Sequence, residues 1–207
     1  MKKLYGVTTA MVTPFDEKGG VMVESVEKMV EFLVRRGVHC LYPCGTTGEM
    51  FLMSEEDRKL VAETVIRQNR GRLTAYVHVG AMHPDETIRL ARHACDIGAD
   101  GVGVVTPAFF GTNPDAMVAY YCKVCHSVPE DFPVYLYNIP QCAANDLTCD
   151  VIRRIACACA AAAATAPLRP RIGCGTPRAS CLPIWTARSS GGLRAMARRT
   201  CTTWRSC

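Results

Sequence analysis

The last quarter of the sequence lacks several residue types that folded domains use. No lysine follows Lys123, no aspartate or glutamate follows Asp150, and no valine follows Val151. Residues 157–207 carry eight arginines and no acid, so the positive net charge, +5 for the whole chain, comes from this segment. In residues 1–156 the 19 acids outnumber the 16 lysines and arginines, and the charge of the whole chain is therefore no guide to the partners of this larger part.

Two further absences narrow the class of protein. No run of about 18 or more apolar residues occurs, which argues against a membrane-spanning helix and against a membrane partner. The first 15 residues contain threonines, a tyrosine and a proline where a secretory signal has a continuous apolar segment, so we expect a cytoplasmic protein. In that compartment the 13 cysteines are expected to be reduced thiols and not a disulfide framework.

Short apolar segments alternate with segments of helical periodicity through residues 1–156. Five of the apolar segments are predicted to be buried parallel strands: 5–15, 39–46, 73–80, 101–107 and 132–138. The segments between them place apolar residues on one helical stripe, begin at capping residues such as Ser54, and end near glycines such as Gly37 and Gly71. This β-α order, repeated at a spacing of about 30 residues, is typical of βαβ units.

Two architectures share this order, an open doubly wound sheet and a (β/α)8 barrel. Polar residues lie at the C-terminal ends of several of the predicted strands, among them Thr13, residues 45–49, Thr106 and Tyr137. These residues favour the barrel, because a barrel gathers the C-terminal ends of its strands into one site. No G-x-G-x-x-G follows the first strand, which argues against a dinucleotide-binding sheet, and no cofactor or metal is predicted.

Four short motifs carry a resemblance to a known family. They are TPF at 13–15, GTTGE at 45–49, VVTP at 104–107 and YNIP at 137–140. In this order and context they resemble the dihydrodipicolinate synthase and N-acetylneuraminate lyase family over residues 4 to about 156. The resemblance implies an α/β fold, a (β/α)8 TIM barrel, truncated here to about five βα units. It also implies a lysine that forms a Schiff base with pyruvate or another 2-oxo acid, and a homotetramer for intact members.

The resemblance assigns roles to residues of two motifs. Tyr137 is the expected acid/base, and Thr46 is its expected partner in a proton relay. Thr47, together with backbone N–H groups, is expected to hold the carboxylate of the oxo acid, and Gly45 and Gly48 are expected to allow a close approach of the backbone. Taken alone, GTTGE is more typical of a tight strand-to-helix turn with capping threonines, but such a turn does not explain the presence of TPF and YNIP.

Two positions depart from the family pattern. Phe109 stands where the family commonly has the second tyrosine of Pro-Tyr-Tyr, a relay member that reaches a neighbouring subunit, so the hydroxyl of that relay is lost. Cys142 lies near the place of the arginine with which the synthases grip aspartate semialdehyde. Because a thiol does not replace a bidentate guanidinium, a sugar acid or another 2-oxo acid is at least as good a substrate hypothesis.

The Schiff-base lysine is missing. The family places it at the end of the sixth strand, near Ala164–Ala166 of this chain, and Lys123 is the last lysine. The alanine-rich segment after Ala156 favours helix, so the fifth helix is expected to continue to about Thr165, with no sixth strand there. Residues 157–207, rich in Ala, Arg and Cys, are hypothesised to be a frameshifted reading of a G+C-rich gene and to be a disordered tail of non-family sequence.

Other interpretations of the cysteines, histidines and arginines are weaker. The tail arginines are scattered, which argues against a nucleic-acid arm. A zinc site from Cys157, Cys159, Cys174 and Cys181 lacks paired C-x-x-C knuckles. CKVCH at 122–126 matches a haem-attachment pattern but lies in a predicted helix, where two cysteines at i, i+3 are more often core residues. His39, His78, His83 and His93 have no ligand spacing and are expected to be structural or solvent-facing.

Two functional classes remain. The first is an enzyme, a class I lyase or synthase that acts on a 2-oxo acid and an aldehyde by aldol addition or cleavage. The second is a non-catalytic fragment or pseudoenzyme that binds small oxo acids or intact subunits. Because the lysine is absent, the chain as written is expected to be inactive, and a five-unit barrel is expected to leave its first and fifth strands as unpaired edges.

Overall fold

The computed structural model describes the backbone of residues 6–165 and 184–186 and the side chains of residues 6–159. Strands and helices alternate through this part of the chain. The strands are β1 (Thr8–Ala10), β2 (Cys40–Tyr42), β3 (Thr74–His78), β4 (Gly101–Val105), β5 (Val134–Asn138) and β6 (Ile184–Thr186). The helices are α1 (Val23–Arg35), α2 (Glu55–Asn69), α3 (Pro84–Asp96), α4 (Pro114–Cys125) and α5 (Cys149–Thr165).

The strands form one parallel sheet in chain order, β1 to β6. Each of the first five strands is followed by a helix, so the predicted five βα units are confirmed. Parallel neighbours in strict chain order, joined by helices, are the arrangement of a (β/α)8 barrel. A doubly wound sheet instead reverses its strand order at a switch point, and no such reversal occurs in the described strands.

Local capping sets where the helices begin. At α2 the Ser54 hydroxyl accepts from the Asp57 backbone N–H at 3.0 Å, and the Asp57 carboxylate accepts from the Ser54 N–H at 3.3 Å, which completes the predicted capping box. At α4 the Asn113 side chain accepts from the N–H of Ala116 at 2.8 Å, with Pro114 in the first helical turn. Gly37 follows α1 with a φ of +71°, as the sequence predicts for a residue just past a helix end.

The helices bury apolar faces against the sheet in two clusters. One joins Met11, just after β1, and strand β2 to α1 and α2, and it includes Val30, Leu41 and Val65, each 0% exposed. The other joins β3, β4 and β5 to α3, α4 and α5. Ile155 of α5, also fully buried, belongs to this second cluster. Burial of this kind contributes roughly 1.5–3 kcal/mol for each large aliphatic side chain and fixes the strand ends that carry the polar residues.

The end of the described chain departs in part from expectation. Helix α5 continues to Thr165, as predicted. Strand β6 was not predicted, yet it pairs in parallel with β5, with Leu136 opposite Ile184 and Asn138 opposite Thr186. The expectation that β5 is an unpaired edge is therefore wrong, because a short Ile-Trp-Thr run of β-favouring residues takes that edge. The remainder of the hypothesised disordered tail, 166–183 and 187–207, lies outside the described residues.

Within the described residues, no helix is both long enough and apolar enough to cross a membrane.

Candidate active site

The GTTGE motif forms a tight turn directly after β2. Thr46–Gly48 make one turn of 3-10 helix, in which the Gly48 N–H donates to the carbonyl of Gly45 at 3.0 Å. Glu49 then takes the left-handed conformation with a φ of +59°. Gly45 and Gly48 are buried and Thr46 and Thr47 are exposed, so the turn presents its two hydroxyls at the C-terminal end of the strands.

The glycines of this turn lie in tight surroundings. A Cβ at Gly48 would lie 3.0 Å from the carbonyl oxygen of Met11 and 3.1 Å from the hydroxyl oxygen of Thr13. A Cβ at Gly45 would lie 3.2 Å from the ring of Tyr42. The Thr13 hydroxyl donates to the carbonyl of Gly48 at 2.8 Å, so the TPF and GTTGE motifs are in direct contact. The two glycines therefore allow the turn to approach the backbone and rings of the protein itself. The sequence alone did not show which groups the glycines approach.

Tyr137 and Thr46 are brought together, although 87 residues of sequence intervene between the two motifs that carry them. Tyr137 lies near the C-terminal end of β5, opposite Val105 of β4, and is half-buried. Burial is the main cause that raises the pKa of the Tyr137 phenol, and a side-chain hydrogen bond with Thr46 partly opposes it. The phenol is therefore protonated near neutral pH, and the Thr46 hydroxyl favours its ionised form, as a proton-relay partner would.

Three rings surround the interior face of the site. Tyr42, His78 and Tyr137 pack edge to face, with ring centroids 5.9 to 6.1 Å apart. Gly103 on β4 gives room to the Tyr42 hydroxyl, since a Cβ there would lie 2.0 Å from that oxygen. The three rings come from β2, β3 and β5 and, with Gly103 on the intervening β4, form one layer of the barrel interior.

A second interior layer lies towards the N-terminal ends of the strands. The Tyr135 hydroxyl donates to the Tyr76 hydroxyl at 2.8 Å, and the two rings pack edge to face with centroids 4.4 Å apart. Gly101 gives room to the Tyr76 ring, since a Cβ there would lie 2.2 Å from it. The floor of the site is thus closed by packed aromatic rings.

His78 is a site residue that sequence reasoning missed. Its side chain is 1% exposed, and neither ring nitrogen makes a complete hydrogen bond. Burial, and secondarily the charge of Arg58, lowers the pKa of His78 to about 3, although a backbone contact with Cys44 opposes the shift. The imidazole is therefore neutral at pH 7. The signal was the alternation of β3, which places Tyr76, His78 and Gly80 on one face.

Arg58 is a buried arginine that contacts the residues next to the GTTGE turn. Its guanidinium donates to the carbonyl of His78 at 3.0 Å and lies 3.8 Å from the carboxylate of Glu86. The thiol of Cys44, the residue before GTTGE, donates to the Arg58 carbonyl at 3.6 Å. This buried arginine therefore joins the start of α2 to the ends of β2 and β3, and it holds the GTTGE turn in place.

Asn138 and Asn145 order the two loops beside Tyr137. Asn138, of the YNIP motif, donates to Asp146 at 2.6 Å and accepts from the N–H of Leu147 at 3.2 Å. Asn145 donates to the carbonyls of Pro107 and Phe110 at 2.6 and 2.8 Å and accepts from the N–H of Thr112 at 2.7 Å. The asparagine of the motif is thus a loop anchor, and Asn145 ties the loop after β4 to the loop after β5.

The two departures from the family pattern are both exposed. Phe109 is 74% exposed with a φ of +73°, and its ring packs edge to face on Phe110 with centroids 4.8 Å apart. Cys142 is exposed in the loop after β5, close enough to raise the pKa of Tyr137 slightly. Lys123 lies on the exposed side of α4, outside the barrel.

Among the described residues, no group of three or more His, Cys, Asp and Glu side chains is arranged to hold a metal ion. Cys122 and Cys125 of the CKVCH motif are partly buried on α4, and His126 caps that helix. Of the four cysteines considered for zinc, Cys174 and Cys181 lie outside the described residues.

Comparisons with known proteins agree with the motifs. The model of the dihydrodipicolinate synthetase family matches residues 3–164, eight residues beyond the boundary that composition predicted. N-acetylneuraminate lyase of Rattus norvegicus is 39% identical over 143 residues, which cover 68% of this chain and 44% of the relative.

Two solved structures extend the likeness to the fold. The catalytic lysine mutant of Ruminococcus gnavus sialic acid aldolase has 30% identity and a TM-score of 0.71, over 75% of this chain and 52% of that one. The dihydrodipicolinate synthase of Acinetobacter baumannii, complexed with pyruvate, has 32% identity and a TM-score of 0.70, over 74% and 52%. The chain spans about half the length of the proteins it matches, so its five βα units are a truncated TIM barrel. By its motifs, fold and matched sequence, the chain belongs to the dihydrodipicolinate synthetase family.

Proposed function

We propose that the intact barrel to which residues 6–165 correspond is a Schiff-base lyase or synthase that acts on pyruvate or another 2-oxo acid. The observation that carries this proposal is the hydrogen bond between Tyr137 and Thr46 beside a turn of exposed threonines. The family match supports it, since the relatives are lyases and synthases.

The geometry suggests a division of tasks. The Thr47 hydroxyl and the backbone N–H groups of Thr46 and Thr47 hold the carboxylate of the oxo acid at the C-terminal end of β2. Tyr137 delivers and removes protons at the carbon and oxygen atoms that react, and Thr46 steadies its phenolate. A lysine amine would attack the ketone carbon, and loss of water would give the protonated imine that withdraws electrons from the neighbouring carbon.

This chain does not supply that amine. No lysine follows Lys123, which lies outside the barrel on α4. We infer that the chain as written binds an oxo acid without forming a covalent bond to it, and that it does not catalyse the reaction. It is then a non-catalytic member of an enzyme family, the second of the two classes that the sequence allowed.

The second substrate is proposed by exclusion. Cys142 cannot grip a carboxylate as a guanidinium does, and it is exposed in the loop beside Tyr137. Aspartate semialdehyde is therefore a poor fit, and a sugar acid or a related aldehyde fits better. A cytoplasmic location, a homotetramer of the intact barrel, small-molecule substrates and no nucleic-acid partner belong to the same proposal.

Borohydride trapping tests the proposal directly. The purified chain is incubated with pyruvate, reduced with borohydride and measured by intact mass. We expect no adduct, and we expect one after the coding frame beyond Ala156 is restored so that a lysine ends the sixth strand. An adduct on a lysine of the chain as written, or no family-like sequence in any frame, would contradict the proposal.

In the restored protein, Tyr137→Phe should lower kcat by about 100-fold or more, because the proton transfer at each step loses its donor. Steady-state kinetics measures this, and Tyr135→Phe, on the same strand but in the lower layer, is the matched control. Equal activity of the two variants would remove Tyr137 from the acid/base role.

A further inference from the structure

Three thiols meet between the last two helices described, on the outer side of the barrel and away from the strand ends. Cys122 and Cys125 lie one turn apart on α4, and Cys159 lies on α5. Each is partly buried, and each is a free thiol. Side-chain hydrogen bonds join Cys122 to Cys159 and Cys159 to Cys125.

The packing of α4 against α5 brings the three thiols together. Near the start of both helices, Arg154 of α5 bonds to the carboxylate of Asp115 of α4. Five residues further along α5 is Cys159, and seven to ten residues further along α4 are Cys122 and Cys125, so the helices run side by side in the same direction. Cys125 and Cys159 pack against the same core cluster.

The contacts among the thiols give them different chemistry. The contact that distinguishes them most is the one between Cys125 and Cys159. This contact lowers the pKa of Cys125, whereas the pKa of Cys159 is raised. Burial, with a smaller effect of Cys159, raises the pKa of Cys122 to about 11. Because the thiolate is the nucleophile, Cys125 is the thiol most ready to attack an oxidant.

We propose that Cys125 and Cys159 form a reversible disulfide that fastens α5 to α4. With a low-molecular-weight disulfide such as oxidised glutathione, the Cys125 thiolate attacks one sulfur and releases one glutathione thiolate. Cys159, as its thiolate, then attacks the mixed disulfide at the Cys125 sulfur and releases the second. Two protein thiols are oxidised by the loss of two electrons and two protons, and one glutathione disulfide is reduced to two glutathione thiols.

Helix geometry excludes one of the two other pairings, the one within α4. Residues at i and i+3 in a helix have Cβ atoms about 5–6 Å apart, whereas a disulfide needs roughly 3.5–4.5 Å. Cys122 and Cys125 therefore cannot close within α4 without distortion, and Cys159 is required. The described residues contain no metal-holding group, so oxidation is the chemistry that this cluster favours over metal binding.

The proposed disulfide would lie in the part of α5 that has few large apolar side chains. Beyond Ile155 the sequence of α5 has only alanine, cysteine and threonine up to Thr165. Cys159 is the last α5 side chain described, and it packs against the core. A covalent bond at that position would hold the C-terminal half of α5, which leads into the rest of the chain. The inference does not depend on the proposed activity.

The test is a non-reducing peptide map of the full chain after exposure to oxidised glutathione. Trypsin cleaves after Lys123 and so separates Cys122 from Cys125. We expect the peptide 155–171 to be linked to 124–153, with fragmentation placing the bond at Cys159 and Cys125, and dithiothreitol to release both. Linkage to 93–123, which contains Cys122, would overturn the assignment.

Two variants make the result specific. Cys159→Ser should lower the yield of the linked pair about tenfold or more, since no second thiol remains to resolve the mixed disulfide. Cys157→Ser, at an exposed position two residues earlier on the same helix, should leave the yield unchanged. Persistence of the link in Cys159→Ser, or glutathione adducts at Cys125 with no internal link, would disprove the proposal.

Discussion

At the scale of single residues, His78 places a titratable group where the fold opposes its charge. Its pKa is about 3 in the folded chain against an ordinary value of 6.5, so between these values only the unfolded chain binds the proton. The contribution of neutral His78 to the free energy of unfolding is therefore complete above pH 6.5. It falls as the pH drops towards 3, by at most about 1.4 kcal/mol per pH unit.

His78→Leu should remove this part of the pH dependence, because leucine does not titrate. The measurement is the free energy of unfolding from denaturant titrations at several pH values between 7 and about 4. His126→Gln, at an exposed position after α4, is the control and should keep the slope of the parent chain. The same slope in His78→Leu as in the parent would show that other groups cause the acid sensitivity.

At the residue scale, the motifs carried the information on which side chains meet, while the roles of these residues in proton transfer stay a prediction. The resemblance paired Tyr137 with Thr46, and the structure places the two in hydrogen-bonding contact. His78, Arg58 and Asn145 were not predicted, because each gains its importance from partners 14 to 39 residues away on other elements. No local pattern of charge or hydropathy marks such a partner.

At the scale of elements, Asn145 couples the loop after β4 to the loop after β5. Its side chain makes three hydrogen bonds to the loop after β4 and is buried. Asn145→Ala should lower the free energy of unfolding by about 1–3 kcal/mol, since it leaves backbone groups of that loop unpaired. Urea denaturation measures the loss, and faster amide exchange at Thr112 would place it in the loop.

Gln141→Ala is the matched control for this prediction. Gln141 lies in the same loop after β5 and is exposed, so the truncation should change stability by less than about 0.5 kcal/mol. If both variants lose the same stability, the three hydrogen bonds of Asn145 do not couple the loops.

Periodicity predicted the order of the elements well and their ends poorly. The predicted strands 5–15 and 39–46 shorten to Thr8–Ala10 and Cys40–Tyr42. The reason is that the residues removed, Thr13 and Thr46 among them, leave the sheet to form the turns of the site. Strand β6 was missed because three residues are too short for alternation to be seen.

At the scale of the whole molecule, stability depends on how the open side of a partial barrel is covered. Strand β5 carries Tyr137 and is paired with β4 on one side and β6 on the other. Without β6, the backbone groups of β5 on that side would be free to pair with another chain. A three-residue strand is thus the element that closes the edge nearest to the proposed acid/base.

Two truncations isolate the effect of this strand. Ending the chain after Thr186 removes 187–207 and keeps β6, whereas ending it after Pro183 removes β6 as well. We expect the shorter protein to self-associate at lower concentration and to lose amide-exchange protection along Val134–Asn138, because its β5 edge is exposed. Size-exclusion chromatography at several concentrations and hydrogen exchange measure the two effects. If both truncations behave alike, Ile184–Thr186 does not protect the edge, and the solubility of this partial barrel depends on another part of the chain.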